Sequence, residues 1–261
     1  MGPACRYGNR GKGHDTISFA EADQGVIVDF NNGTANVGDG QGHALSEIES
    51  VIGSNYADLI IGDANANNLE GGAGNDTLIG GGGGDWITPG AGNDVVDGGS
   101  GSDMVSLFDL SQGAIINLET GIVRSGQDTK LISNVENITG TIHGDFIQGD
   151  ESDNRLRGLG HYDWFVGSGG SDSYDGGTGR DMVSYVYSDT GVTADLGTGR
   201  GMAGQAAGDT YIGIERLTGS IGSRSAAPGH RAAVMSRYGS HAFGPVRAAD
   251  TATRAGRMYR T

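Results

Sequence analysis

Aspartates recur every nine residues in two stretches of this chain that are otherwise rich in glycine. Six nonapeptides run without a slip from Gly53, and five more run from Gly140. The copies that begin at residues 71, 80, 98 and 176 match G-G-x-G-x-D-x-U-x at every position, where U is a large apolar residue. A carboxylate is a hard oxygen ligand, so rows of carboxylates suit a divalent cation. The chemistry that this pattern favours is therefore cation coordination by oxygen.

Each position of the nonapeptide has a physical reason. Glycines at positions one, two and four permit a tight, left-handed turn that brings carbonyl oxygens inward. Residues seven to nine then form a short strand whose middle side chain points inward. That middle residue is apolar or aromatic in every copy of the two arrays: Ile60, Leu69, Leu78, Ile87, Val96, Val105, Ile147, Leu156, Phe165, Tyr174 and Val183. A flexible glycine-rich linker has no reason to keep this period, so the repeats predict an ordered, repetitive fold.

Two nonapeptides make one coil of 18 residues, so turns that lie 18 residues apart stack on the same edge. One edge of the first array then carries Asp58, Asp76 and Asp94, and the other carries Asn67, Asp85 and Asp103. The second array carries Asp145, Asp163 and Asp181 on one edge, opposite Asn154 and Asp172. Like charges one strand spacing apart repel each other unless a counter-ion lies between them. The sequence thus predicts folding that depends on a metal ion.

These nonapeptides resemble the RTX (repeats-in-toxin, hemolysin-type calcium-binding) family, over about residues 10–222. The resemblance implies an all-β fold, a parallel β-roll or β-solenoid, that binds several Ca²⁺ ions between turns two nonapeptides apart. The best implied sites pair turn 71–76 with 89–94, and turn 80–85 with 98–103. The implied carboxylate ligands are Asp58, Asp76, Asp85, Asp94, Asp103, Asp145, Asp163, Asp172 and Asp181. The implied turn ligands are Gly71, Ala73, Gly80, Gly82, Gly90, Gly92, Gly99 and Gly101.

Some repeats depart from the family pattern. Asn67 and Asn154 replace aspartate, which predicts weaker sites there. His143 and His161 replace the fourth glycine; they lie 18 residues apart and are expected to stack. Pro89 replaces a first glycine, with little expected loss because only its carbonyl is needed.

A longer unit also recurs, at residues 15–53, 103–140 and 181–219, and consists of an apolar spacer that leads into nonapeptides. Alternating apolar residues in the spacers predict strands that extend the solenoid with wider coils and a fuller core. Glu49, Glu136 and Glu215 recur at one place in the spacers; a structural hydrogen bond at a coil corner is favoured over a role as calcium ligands. No helix is predicted before residue 223.

The predicted segments are an unstructured terminus (1–9), a spacer with one degenerate repeat (10–52), a roll (53–106), a spacer (107–139), a roll (140–184), a spacer (185–222) and a basic tail (223–261).

Composition narrows the class of protein. The net charge of −15 disfavours binding to nucleic acid or anionic membranes, and 51 glycines leave room for only a thin core. Cys5 is the single cysteine, so no internal disulfide can form, and no apolar run predicts a membrane span. The N-terminus lacks the apolar core of an ordinary signal peptide. The arginine-rich tail fits a disordered segment, a remnant of an export signal or unrelated sequence, and we expect disorder.

The sequence predicts a non-catalytic calcium-binding module, secreted and extracellular, from a larger bacterial protein. The resemblance implies export through a type I secretion system before folding. One alternative is an adhesin or polysaccharide-binding module that uses Trp86 and Trp164, which are expected to face outward. Another is the repeat region of a secreted protease, lipase or alginate epimerase, although neither H-E-x-x-H nor G-x-S-x-G occurs.

Overall fold

The computed structural model describes residues 6–8, 13–37, 41–45 and 47–220. Regular structure in these residues is almost entirely β-strand, and the exception is a single 3-10 turn, η1 (Gly204–Ala206). The predicted all-β class is therefore confirmed. The basic tail lies outside the described residues.

Two large sheets form the faces of the molecule. The first sheet has this strand order: β1 (Arg6–Gly8), β2 (Thr16–Ser18), β6 (Ser50–Ile52), β8 (Asn68–Glu70), β10 (Trp86–Thr88), β12 (Met104–Ser106), β16 (Asn137–Thr139), β18 (Arg155–Arg157), β21 (Ser173–Asp175), β26 (Thr210–Ile212), β25 (Arg200–Ala203) and β24 (Thr193–Asp195). The second sheet has this order: β27 (Arg216–Thr218), β23 (Met182–Ser184), β20 (Trp164–Val166), β17 (Phe146–Gln148), β13 (Ala114–Asn117), β14 (Ile122–Ser125), β15 (Asp128–Ser133), β11 (Val95–Gly101), β9 (Thr77–Gly83), β7 (Leu59–Ile61), β3 (Val26–Asp29), β4 (Thr34–Val37) and β5 (Gln41–Ala44). A separate short pair joins β19 (Gly160–His161) and β22 (Thr178–Gly179).

Successive nonapeptides place their strands alternately in the two sheets. Within a sheet, each repeat strand pairs in parallel with the strand one coil away, so that Leu69 lies opposite Ile87 and Ile60 lies opposite Leu78. The middle residue of each repeat strand is completely buried between the sheets. The structure is consistent with the predicted parallel β-roll, whose core receives one apolar side chain from each nonapeptide.

The second spacer forms strands, as predicted, but it runs back on itself. Strand β13 pairs in parallel with β17 of the second roll, and β15 pairs in parallel with β11 of the first roll. Strand β14 joins them in antiparallel fashion. The two reversals occur near Gly121 and Gly126, whose φ angles of 66° and 60° favour glycine. These three strands form an antiparallel meander that joins the strands of the first roll to those of the second roll in one continuous sheet.

The other spacers repeat this meander. Strands β3 to β5 form it in the second sheet, and β24 to β26 form it in the first sheet. The prediction that residues 1–9 are unstructured is wrong for Arg6–Gly8, because this segment pairs as an antiparallel strand with β2. Its remaining residues lie outside the described part of the chain. No helix in the described residues is long and apolar enough to cross a membrane.

Candidate metal sites

The position-six aspartates stack along the edges of both rolls, as the 18-residue period predicts. Oδ1 of Asp76 accepts a hydrogen bond from the backbone N–H of Asp58 at 2.9 Å, and Oδ1 of Asp94 accepts one from Asp76 at 2.9 Å. In the second roll, Oδ1 of Asp163 accepts the N–H of Asp145 at 2.8 Å. Oδ1 of Asp181 in turn accepts the N–H of Asp163 at 2.8 Å. One oxygen of each carboxylate therefore links its turn to the turn one coil earlier.

The second oxygen of five of these aspartates is buried and has no hydrogen-bond partner among the described residues. These oxygens are Oδ2 of Asp76, Asp85, Asp103, Asp163 and Asp181. Burial raises the pKa of Asp85 to about 6, that of Asp76 to about 7 and that of Asp163 to about 8. A buried carboxylate oxygen without a donor is costly unless a cation approaches it. The five oxygens thus fit a hard divalent cation.

Backbone carbonyls converge on the same gaps between turns. Between turns 71–76 and 89–94, the carbonyl of Gly72 faces the later turn and accepts the N–H of Ala91 at 2.9 Å. The carbonyl of Ala91 faces the earlier turn and accepts the N–H of Gly74 at 3.0 Å. A methyl group added at Gly71 would lie 2.6 Å from both Asp76 Oδ2 and the carbonyl oxygen of Pro89. The absence of a side chain at the first glycine therefore leaves a space that is bordered by a carboxylate oxygen and a carbonyl oxygen.

The carbonyls that face this gap differ from the set that the family resemblance implied. Those of Gly90 and Gly92 point away from turn 71–76, to the ammonium of Lys130. The second pair of turns has the same geometry. The carbonyls of Gly81 and Gly83 face the later turn, where they would collide with a methyl group added at Gly99 or Gly101. The facing carbonyls thus come from positions two and four of the earlier turn and from the start of the later turn. The spacing of the motif does not reveal this direction, because it does not say towards which neighbour each peptide unit points.

Comparison with known families agrees with this geometry. A family model described as the RTX calcium-binding nonapeptide repeat matches four stretches in two overlapping pairs, residues 52–87 with 71–105 and residues 139–172 with 148–183. This chain carries RTX calcium-binding repeats. No curated protein matches the chain. All five partnerless oxygens lie within the matched RTX repeats, whereas the meander 114–133 lies between them.

In the first RTX repeat of each array, both oxygens of the aspartate accept hydrogen bonds from donors of the chain. Oδ2 of Asp58 accepts the N–H of Ser54 at 2.6 Å, and Oδ1 accepts the Ser54 hydroxyl at 2.7 Å and the N–H of Val26 at 2.7 Å. Asp145 is held in the same way by Thr141 and by the N–H of Ala114. Serine or threonine in place of the second glycine is the sequence signal for this closure, and the repeat pattern alone did not reveal it.

Two further aspartates that the resemblance implied as ligands also have donors on Oδ2. The Oδ2 of Asp172 accepts the hydroxyl of Tyr174 at 2.8 Å and that of Ser168 at 3.0 Å. The Oδ2 of Asp94 accepts the ammonium of Lys130 at 2.5 Å. The structure therefore separates aspartates that the sequence pattern treats alike.

In the two asparagine turns, the asparagine side chain forms hydrogen bonds with an aspartate of the same turn. Oδ1 of Asn67 accepts the N–H of Asp63 at 2.8 Å, and Oδ1 of Asn154 accepts the N–H of Asp150 at 2.9 Å. The amide of Asn154 also donates to Asp150 Oδ1 at 3.1 Å. A neutral amide supplies a donor where a metal ion would otherwise be needed. Weaker calcium binding at these turns remains a prediction.

The histidine turns lie close together. The rings of His143 and His161 lie 5.8 Å apart between centroids across one coil, but their planes are tilted by 44°, so the two rings do not stack face to face as expected. His161 keeps a φ of 70° and Leu159 a φ of 81°, so this turn holds the left-handed backbone without glycine. Such angles are strained for side chains of this size. The described residues contain no group of three or more His, Cys, Asp or Glu side chains that could hold a metal ion.

The recurring glutamates of the spacers make the predicted structural hydrogen bond. Oε2 of Glu49 accepts the N–H of Asp15 at 2.9 Å, and Oε2 of Glu136 accepts the N–H of Asp103 at 2.9 Å. Glu215 accepts the N–H of Asp181 at 2.7 Å. Each glutamate therefore occupies, for the last turn before a spacer, the place that Oδ1 of an aspartate occupies between RTX repeats.

The two tryptophans differ in their surroundings. Trp86 lies on the outer face of the first sheet and is 46% exposed, as predicted. Trp164 is only partly exposed because its ring packs edge to face against Phe146 at 5.4 Å between centroids. The outward position of the repeat therefore does not guarantee an accessible ring.

Proposed function

We propose that this chain is a non-catalytic module of a larger secreted protein and that it folds when Ca²⁺ binds to its RTX repeats. The five buried, partnerless carboxylate oxygens carry the proposal. Each is a site at which the folded chain places negative charge without a donor from the described residues. Calcium that binds there neutralises this charge and connects consecutive turns.

At the best-formed gap, we assign Oδ2 of Asp76 as the carboxylate ligand. The carbonyls of Gly72 and Gly74 approach from the same turn, and those of Pro89 and Ala91 approach from the next coil. Six to eight oxygens at flexible geometry are usual for Ca²⁺ in proteins. Waters complete the shell in this proposal.

The energetics of the chain favour a calcium switch. Ordering backbone costs roughly 1–2 kcal/mol per residue, and glycine loses the most freedom. Each RTX nonapeptide contributes one completely buried apolar side chain to the space between the sheets, which is a small return for nine ordered residues. Calcium that binds the folded state alone shifts the equilibrium towards folding by mass action. Extracellular calcium modules commonly have dissociation constants of about 10⁻⁴ to 10⁻³ M, so folding follows the step in calcium concentration across the cell envelope.

The proposed location follows from the repeat family and the composition. RTX repeats are typical of secreted proteins, and a chain that stays unfolded in a calcium-poor cytoplasm suits passage through a type I secretion channel. With the single cysteine Cys5, the chain cannot use an internal disulfide for stability outside the cell. Bound calcium takes that role in this proposal.

Circular dichroism with and without calcium tests the proposed function. In a chelating buffer we expect a spectrum dominated by coil, and in millimolar Ca²⁺ a β-sheet spectrum with a cooperative thermal transition. Magnesium at the same concentration is the control and is expected to have little effect, because Mg²⁺ requires a tighter octahedral shell. A spectrum that is β-sheet in chelator and unchanged by calcium would contradict the proposal.

A further inference from the structure

Lys130 in strand β15 is a buried cation. Its side chain is 1% exposed. The ammonium donates to the carbonyl of Gly90 at 2.6 Å and to that of Gly92 at 3.0 Å. It also forms an ion pair with Oδ2 of Asp94 at 2.5 Å. All three acceptors belong to one RTX turn.

The three acceptors are positions two, four and six of their repeat. One coil earlier, the same positions are Gly72, Gly74 and Asp76, whose oxygens face the gap between turns. There the Oδ2 oxygen has no donor from the described residues. The ammonium of Lys130 therefore contacts turn 89–94 through the same three positions at which a calcium ion would contact turn 71–76.

We propose that Lys130 is a built-in replacement for the last calcium ion on this edge of the first roll. The proposal rests on calcium binding by the other turns. It assigns the gap beyond turn 89–94 to an ammonium that belongs to the chain, and it removes Asp94 Oδ2 from the set of calcium ligands.

The meander is docked so that it delivers this cation. The N–H of Leu131 donates to the carbonyl of Asp94 at 2.8 Å, in the register of another RTX coil. The N–H of Thr129 donates to Oδ1 of Asn93 at 2.8 Å, and Oδ2 of Asp128 accepts the N–H of Gly92 at 3.1 Å. Strand β15 thus imitates the next repeat strand, and its lysine takes the place of the metal that the next turn would share.

The opposite edge of the same roll ends differently. Asp103 is the last aspartate there, and its Oδ2 has no partner in the described part of the chain. The backbone N–H of Asp103 donates to Oε2 of Glu136. Glu136 is an acidic residue, so it provides no positive charge for Oδ2 of Asp103. At one end of the roll, therefore, one edge is closed by a cation of the chain and the other still needs an ion from solution.

The replacement of Lys130 by alanine tests the proposal. Lys130→Ala removes the ammonium and opens space beside three oxygens, so the folded variant is expected to bind one more Ca²⁺ per chain than the wild type. At a limiting Ca²⁺ concentration that only just folds the wild type, its melting temperature is expected to fall further than that of Arg124→Ala. Arg124 is an exposed residue of the adjacent strand β14, so its replacement controls for the loss of one positive charge from the same meander. Calcium stoichiometry is read by equilibrium dialysis of the full chain.

A second pair of variants keeps the test decisive if Lys130→Ala does not fold. Asp94→Asn retains the Oδ1 acceptor, and it is expected to lower stability while leaving the number of bound Ca²⁺ ions unchanged. The double variant Lys130→Ala with Asp94→Asn is expected to return to the wild-type number. If Asp94→Asn loses an ion, or if folded Lys130→Ala gains none, the proposal is wrong. Absence of calcium binding by the wild type would instead refute the proposed function.

Discussion

Asp163→Asn is expected to remove one bound calcium ion and to stabilise the metal-free protein. Asp163 is completely buried, its Oδ2 has no donor among the described residues, and burial raises its pKa to about 8. An asparagine keeps Oδ1 as the acceptor for the N–H of Asp145 and removes the buried charge. Asn154 shows that an amide fits a turn of this kind. The metal-free gain should be about 1–3 kcal/mol, the usual cost of leaving a buried polar group unsatisfied.

Asp145→Asn is the matched control, because it makes the same substitution one coil earlier. Both oxygens of Asp145 accept hydrogen bonds from Thr141, so an amide nitrogen in place of one oxygen meets a donor. This variant is expected to need more Ca²⁺ to fold than the wild type does and to bind the same number of ions. Equal loss of calcium by the two variants, measured by titration calorimetry, would contradict the distinction drawn between the two aspartates.

Acid is expected to stabilise the metal-free roll and to weaken calcium binding. Burial raises the pKa of Asp85, Asp76 and Asp163 to about 6, 7 and 8, from an ordinary value of 3.8. A raised pKa in the folded state means that the fold binds these protons more tightly than the unfolded chain does. The resulting stabilisation is complete below about pH 4 and is lost as the pH rises to 8. Calcium requires the ionised carboxylates, so its affinity changes in the opposite direction.

The pH prediction is read in two measurements. In chelator, the β-sheet signal in circular dichroism should be larger at pH 5 than at pH 8. In calcium, calorimetry in buffers of different ionisation enthalpy should detect protons released at pH 6.5 and almost none at pH 9. Below the pKa, affinity should fall about tenfold per pH unit for each carboxylate that must ionise. A metal-free roll that is more stable at pH 8 than at pH 5 would overturn the assignment of buried, unsatisfied aspartates.

Much of the fold can be predicted from the sequence because the period is strict. An apolar residue at every ninth position, such as Leu69 or Ile87, fixes both the strand and the side chain that enters the core. The stacking of position-six residues follows from the 18-residue coil. The hydrogen bonds of Glu49, Glu136 and Glu215 could be predicted because a glutamate recurs at the same place in each spacer.

The remaining features depend on three-dimensional direction, which the period does not encode. Alternation in the spacers predicts strands such as β14 without indicating whether they pair in parallel or antiparallel fashion. The motif names glycine carbonyls without saying which neighbouring turn they face. The family resemblance therefore implies Gly90 and Gly92 as calcium ligands, although their carbonyls accept hydrogen bonds from Lys130. Lys130 lies 36 residues from Asp94 and outside every repeat, so no local pattern connects the two.

Calcium ions located by anomalous scattering in crystals of the full chain would show whether Ca²⁺ binds the unsatisfied carboxylate oxygens of the two rolls. We expect ions within about 2.3–2.6 Å of the five Oδ2 oxygens that have no hydrogen-bond partner among the described residues, the usual range for Ca²⁺ and oxygen. We expect none at Oδ2 of Asp58, Asp94 or Asp145, which already accept hydrogen bonds from donors of the chain. Ions beside Asp58 and Asp145, with none beside Asp76 and Asp163, would contradict calcium binding by the unsatisfied Oδ2 oxygens.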